Sequence, residues 1–225
     1  MSRTLKVVVA GLTGRMGQEV LRVAPQHACQ VIGGLSRTQS SLAALSERPD
    51  LVIDFSLPEF TPQVLRECLS HKLALVSGVT GYSTEELQVL RQASQEIPLL
   101  WSANMSLGIQ IMLRALEALR GTEGYDLAME EIHHNQKRDA PSGTAKLIRD
   151  ETEKRTGRRI EQIHSLRGGG VVGVHRVLAL GPNETLTFEH AAQDRGVFAS
   201  GACRAAQWLV QQKPGFYSLG DLLRS

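Results

Sequence analysis

The sequence predicts an α/β protein in two parts, a parallel sheet with helices on both faces followed by an α+β region. Three observations carry that prediction. Short β-branched runs alternate with helical patterns as far as Trp101, the rhythm of a parallel sheet. A spaced glycine triplet separates the first strand from the first helix. Beyond Trp101 the rhythm changes, and GPNE (Gly181 to Glu184) lies between two strand-like runs as a hairpin signal.

LKVVVA, ending at Gly11, reads as a strand buried on both faces. Residues 16–23 form a helix stopped by Ala24-Pro25. CQVIGGL is the second strand, 39–45 one short helix, and LVIDFS from Leu51 the third strand. A helix over 58–70 and a strand over 73–76 follow. The next helix covers 84–95, capped by Ser83 or Thr84 with Glu86, and a strand covers 98–101. In the second part, 105–120 is helical, 127–134 extended, and 142–156 helical with Gly157 as its stop. VHRVLAL and TLTFEHAA are antiparallel strands, and a last helix covers 197–211. The boundary falls near residue 103. The first domain is 1–103, with the tail 213–225 packing back on it, and the second is 104–212.

The bulk properties narrow the function. The 225 residues suffice for one large domain or two small ones, and the net charge of +2 argues against nucleic acid or a membrane surface as partner. Cys29, Cys68 and Cys203 are scattered and form no CxxC, which suits a reducing cytoplasm and provides neither a disulfide framework nor a metal site. The apolar run at the N-terminus is too short for a signal peptide or a membrane span.

Two motifs carry chemistry. AGLTGRMG places Gly11, Gly14 and Gly17 between a strand and a helix. Gly11 permits the turn, Gly14 lets the backbone approach a pyrophosphate, and Gly17 lets the helix sit close to the strand. The spacing is GxxGxxG rather than GxGxxG, yet its context is that of a Rossmann-type dinucleotide loop, with Arg15 adding charge. The second strand ends in Ser36-Arg37-Thr38 with no acid to hold ribose hydroxyls, so NADPH is favoured and NADH remains possible. The second motif is EIHHNQKRDAPSGTA (Glu131 to Ala145). Adjacent residues of a strand face opposite ways, so His133 and His134 share one role only if the strand ends there. A histidine exchanges protons near neutral pH, and Lys137 is a second donor or a fixed cation. Pro141 followed by Ser142, Gly143 and Thr144 reads as a helix entry whose N–H groups bind a carboxylate or phosphate. Each feature alone fits a solvated loop or a capped helix. Beside a nucleotide loop they describe a site that binds a small carboxylate and supplies a proton.

VAGLTGRMG, DFSLPE, SGVTGY, SANMSLG, EIHHNQKRDAPSGTA and FEHAAQDRGVFASGACRAAQWL, in this order, resemble the dihydrodipicolinate reductase family across nearly the whole chain. The resemblance implies an NAD(P)H-dependent oxidoreductase of lysine and diaminopimelate biosynthesis. Such an enzyme reduces 4-hydroxy-tetrahydrodipicolinate or dihydrodipicolinate to tetrahydrodipicolinate, in the cytoplasm. It also implies a second domain that binds substrate and builds a homotetramer. By motif position, His133 would be the catalytic acid/base and Lys137 the proton donor. His134, Ser142, Gly143 and Thr144 would hold the substrate. Gly11, Leu12, Thr13, Gly14, Arg15 and Met16 would cradle the pyrophosphate, with Ser36 and Arg37 at the ribose. Gly78, Val79, Thr80, Ser102, Ala103, Asn104 and Met105 would line the nicotinamide region through backbone groups.

The chain departs from the family at Ser36-Arg37, where relatives often have Glu-Arg, and at Val174, where Gly-Glu-His becomes Gly173-Val174-His175. It is also short between Thr38 and Asp50. Two rival readings are a related aspartate or semialdehyde dehydrogenase and a nucleotide sensor without turnover. The first lacks a cysteine in a nucleophile's setting, and the second has no use for His133, His134 and Lys137 beside an anion site.

Overall fold

The computed structural model describes residues 3–39 and 41–224, and divides into two compact units. One unit joins residues 1–106 to 196–225, and the other is 107–195.

The first unit is built on a six-stranded sheet, all parallel. Its strands are β1 (Leu5–Ala10), β2 (Cys29–Leu35), β3 (Leu51–Asp54), β4 (Ala74–Ser77), β5 (Pro98–Trp101) and β10 (Gly215–Tyr217), in the order β10-β5-β4-β3-β1-β2. β3 and β4 are buried at every position, as strands covered on both faces must be. Val8, Val52, Leu75 and Leu99 form its core with Val64 and Leu65 of α2 (Thr61–His71) and Leu90 of α3 (Thr84–Ala93). Each side chain of that size contributes roughly 1.5–3 kcal/mol when fully buried. α3 opens with a complete capping box, Ser83 and Glu86 each bonding the other's backbone N–H.

The short helix expected over 39–45 is a single 3-10 turn, Leu42–Ala44, and Ser40 lies outside the described residues. The helix expected from residue 58 begins as a 3-10 turn, Pro58–Phe60, before α2.

One assignment is corrected. The last helix, α6 (Gly196–Leu209), was expected in the second domain, but it packs on α1 (Arg15–Val23) of the first unit. Its residues Gly196, Ala199, Gly201, Ala202, Ala205 and Ala206 are buried. This face of small residues lets the helix lie against backbone. A Cβ added at Gly201 would overlap the Met105 carbonyl. Gln207 also donates to the Ala28 carbonyl at 2.7 Å. Periodicity showed the helix but not its partner.

The second unit carries a four-stranded sheet in the order β7-β6-β8-β9. β6 (Asp126–His133), β8 (Gly173–Leu180) and β9 (Thr185–Ala192) are antiparallel neighbours, as expected. β7 (Gln162–Arg167) has no counterpart in the sequence reading and pairs parallel to β6. Helix α5 (Gly143–Thr156) makes the crossover between them. QIHSLR is exposed or half-buried throughout, so it has no apolar alternation to mark it as a strand. α4 (Leu107–Leu116) and α5 cover one face of this sheet, with Ile109, Leu113, Ala145 and Ile148 packed on Met129, Val177 and Ala179.

Candidate active site

In the first unit every sequence-predicted nucleotide residue follows the C-terminal end of a strand. Gly11 to Gly14 follow β1, Ser36 and Arg37 follow β2, Gly78 to Thr80 follow β4, and Ser102 to Met105 follow β5. All these strands are parallel, so the loops share one edge of the sheet, where such folds bind ligands. Gly11 has φ +78°, and a Cβ on it would sit 2.8 Å from the Phe55 carbonyl oxygen. A Cβ on Gly17 would overlap the Gly11 carbonyl, so α1 can start this close only on glycine. Gly14 is the N-cap of α1 and is exposed, and no side chain caps it, which leaves the helix end to an anion. Leu12 and Met16 are half-buried, while Thr13 and Arg15 are exposed.

Ser36 Oγ lies 3.1 Å from Thr38 Oγ1, and the exposed Arg37 reaches Glu59 at only 3.5 Å. A guanidinium so weakly held is available to a phosphate. The loops expected at the nicotinamide, 78–80 and 102–105, are fixed from below. Trp101 Nε1 donates to the Val79 carbonyl at 2.9 Å, Ser102 Oγ to the Asn104 carbonyl at 2.7 Å, and Ser106 N to Asn104 Oδ1 at 2.8 Å. Sequence reasoning missed the pieces beneath. A Cβ on Gly78 would enter the Phe55 ring, and fully buried Asp54 takes Ser56 N–H at 2.8 Å and Ser56 O–H at 2.6 Å. Burial pushes Asp54 up to about 6 against the pull of those bonds.

In the second unit, the alternation of β6 turns Leu127, Met129, Glu131 and His133 inward. β6 ends at His133, so His134 lies just past the strand and is half-buried. The next residues make a turn, with Lys137 N donating to the His134 carbonyl at 3.1 Å. Lys137 Nζ then pairs with Asp139 Oδ1 at 2.9 Å. That pairing, aided by the Gly143 backbone, holds Asp139 below the usual carboxylate range.

Ser142 N-caps α5, its Oγ accepting from Ala145 N at 3.1 Å. The same Oγ lies 3.1 Å from His175 Nε2, and Ser142 N donates to Glu131 Oε1 at 3.3 Å. Gly143 is exposed and Thr144 half-buried in the first turn. The helix end is thereby tied to the histidine row.

The strand register builds that row. Ser165, Glu131, His175 and His190 stand opposite one another across β7, β6, β8 and β9, and His133 stands opposite Arg167. Arg167 Nη2 donates to Glu131 Oε1 and to the Asp139 carbonyl, each at 2.7 Å. Glu131 Oε2 pairs with His133 Nδ1. Burial would raise Glu131, but the bonds from Arg167, Ser165 and His133 outweigh it and hold it below the carboxylate norm. Burial lowers His133 below the usual imidazole range, Glu131 opposes, and the cations Lys137 and Arg167 add to the lowering. Burial likewise takes His175 down to about 3.

Glu131, His133 and His175 have potential ligand atoms within 4.8 Å of one another. Of these three, Glu131 is paired with Arg167 and with His133. Val174, at the family's glutamate position, stands in the row of Ile132 and Ala191, one step from His175 and hence on the opposite face. The missing carboxylate would point away from the histidines. Glu131, Arg167 and His175 were given no role from sequence. The alternation of β6 was the available signal, since it puts a carboxylate on the buried face beside His133.

A parallel sheet with a glycine loop at an uncapped helix end, joined in one chain to a unit holding a buried histidine, a lysine and a capped helix end, defines a class: a two-unit, pyridine-nucleotide-dependent oxidoreductase. Family models described as dihydrodipicolinate reductase, N-terminus and C-terminus, match residues 5–105 and 108–223. The 4-hydroxy-tetrahydrodipicolinate reductase of Bdellovibrio bacteriovorus is 40% identical over 98% of this chain and 97% of its own. That of Caldanaerobacter subterraneus subsp. tengcongensis is 39% identical over 98% of each. A dipicolinate-bound dihydrodipicolinate reductase from Paenisporosarcina sp. TG-14 shares the fold, with TM-score 0.79 and 21% identity over 97% of this chain and 99% of its own. The chain belongs to the dihydrodipicolinate reductase family, enzymes of lysine and diaminopimelate biosynthesis.

Proposed function

We propose that the chain reduces 4-hydroxy-tetrahydrodipicolinate or its dehydrated form to tetrahydrodipicolinate, with NADPH favoured over NADH. The observation that carries this reading is Ser142, which caps α5 while bonding Glu131 and facing His175. It fixes an anion-binding helix end beside the groups that handle protons.

One carboxylate of the substrate docks on the N–H groups of Gly143 and Thr144 with the Ser142 hydroxyl, where the helix dipole favours negative charge. His134 and Lys137 help hold the ring. A bound nicotinamide supplies the hydride. Lys137 delivers the proton, and burial with the neighbouring cations Lys137 and Arg167 lowers His133 below the usual imidazole range, which favours it as the acceptor. His133 acts as the acid/base partner that accepts and returns protons at the site.

On the cofactor side, Gly11 to Met16 take the pyrophosphate, and Ser36 with Arg37 take the 2′-phosphate. The loops of Gly78 to Thr80 and Ser102 to Met105 present backbone groups to the nicotinamide. The homotetramer is proposed to form through the second unit. Its sheet has exposed Leu166 and Leu180 and half-buried Ile132, Val174 and Leu178 on the face away from the histidines. A cytoplasmic site of action is proposed from the three free cysteines, and among the described residues no helix is long and apolar enough to cross a membrane.

A coupled assay tests the reading. The unstable substrate is made in place from pyruvate and aspartate semialdehyde with their synthase, and NADPH and NADH are followed in parallel. NADPH oxidation that depends on both precursors is expected. Binding of either cofactor without its oxidation would return the nucleotide-sensor reading.

A further inference from the structure

Glu131 is fully buried, and a buried carboxylate costs several kcal/mol unless it is paired and hydrogen-bonded. The fold provides for it from three elements. Arg167 at the end of β7 and the Ser142 N–H at the start of α5 both donate to Oε1, at 2.7 and 3.3 Å. The other oxygen, Oε2, is left for His133 Nδ1. On the far side of the ring, a Cβ at Gly173 would lie 3.0 Å from His133 Nε2, so glycine there keeps that nitrogen's surroundings open.

We propose that Glu131 is the positioning residue of the site: it accepts the proton on His133 Nδ1, so that Nε2 is the nitrogen with the lone pair, and Arg167 is its counter-ion. The proposal rests on the reading of His133 as the acid/base group. The other titratable or charged groups facing this histidine are Lys137 from the turn after β6, Arg167 from β7 and His175 from β8. The ring centroids of His133 and His175 are 5.1 Å apart, and His190 stands behind His175 on β9.

The division of labour between the two carboxylate oxygens gives Glu131→Gln a specific consequence. Two donors already meet Oε1, so the amide oxygen of glutamine stays there and its NH₂ turns to His133 Nδ1. A donor facing Nδ1 moves the ring proton to Nε2, the wrong-tautomer effect of an amide in a carboxylate–histidine pair.

The experiment records ¹⁵N-histidine long-range spectra of the full chain above the His133 titration, with His133→Gln as the assignment control, and steady-state kinetics of the same samples. Wild type is expected as the Nδ1–H tautomer and Glu131→Gln as Nε2–H. The kcat of the variant should fall roughly 100-fold, within the range for a displaced acid/base group. Its dissociation constant for NADPH, bound by the other unit, should change less than twofold. If Glu131→Gln does not fold, Glu131→Asp keeps the charge but shortens the reach, and a mixed tautomer signal is expected. An unchanged His133 tautomer in the variant that folds overturns the proposal. A switched tautomer supports it whatever the rate, and a switched tautomer with full kcat would remove His133 from the acid/base role instead.

Discussion

The two units build their candidate sites by different means. The first presents a site made of backbone: glycines at 11, 14 and 17, and loops whose side chains point into their own supports, such as Ser102 and Asn104. The second presents a site made of side chains, in which Glu131, His133, Ser142, Arg167 and His175 bond one another across three strands and a helix. A backbone site tolerates many side chains but few changes of shape. A side-chain site fails by losing one charge.

The sharpest way to break that contrast is Lys137→Ala. It should lower kcat about 10²- to 10⁴-fold while NADPH affinity and the melting temperature barely change, since the ion-pair partner of Lys137 is the exposed Asp139. Near-normal turnover would remove the proposed proton donor.

Next in size is Gly17→Ala, which forces α1 away from the Gly11 carbonyl. Overpacking of this kind costs roughly 1–3 kcal/mol and should weaken NADPH binding as well. By contrast, Thr13→Ala, at an exposed position of the same loop, should leave affinity nearly unchanged. Equal losses in the two variants would show that side chains, not backbone, make the loop.

The two units should also answer pH with opposite signs. His175 titrates near 3 when folded against 6.5 when unfolded, so its contribution is fully present above 6.5 and is lost as pH falls towards 3. Asp54 has the reverse sign, because its folded value near 6 lies above 3.8. Its burial costs stability above about 6, and the cost is relieved as pH falls towards 3.8. Denaturant melts across that range should show His175→Gln flattening the acid loss and Asp54→Asn raising stability at pH 7.5. A single parallel shift of the whole curve in both variants would contradict these assignments.

The smallest effect expected is at Arg37. Arg37→Ala should weaken NADPH binding roughly 10-fold, the worth of one charge-assisted hydrogen bond, and leave NADH unchanged. Titration of the two cofactors side by side would show whether Ser36-Arg37 sets the preference.

Legibility followed the range of the forces involved. The strand from Cys29 to Leu35, that from Pro98 to Trp101 and the hairpin strand from Thr185 to Ala192 end where their residue patterns end. So do the capping box at Ser83 and the left-handed stop at Gly157, because each rests on neighbours a few residues apart. β7 was invisible because its strand status comes from pairing with β6, not from an apolar alternation of its own. α6 was visible as a helix and misplaced as a partner, since small residues record only that something comes close.

By itself, then, the sequence determined the glycine loop between the first strand and the first helix, the run of strands from β1 to β5, and the cluster of His133, His134, Lys137 and Ser142 within one short motif. Only the tertiary structure decided that Arg167, 36 residues from Glu131, anchors its carboxylate, and that His175, 33 residues from Ser142, meets its hydroxyl. Hydrogen bonds that cross a sheet depend on register, and register is set by the packing of whole strands, which no local pattern around Glu131 or Arg167 encodes.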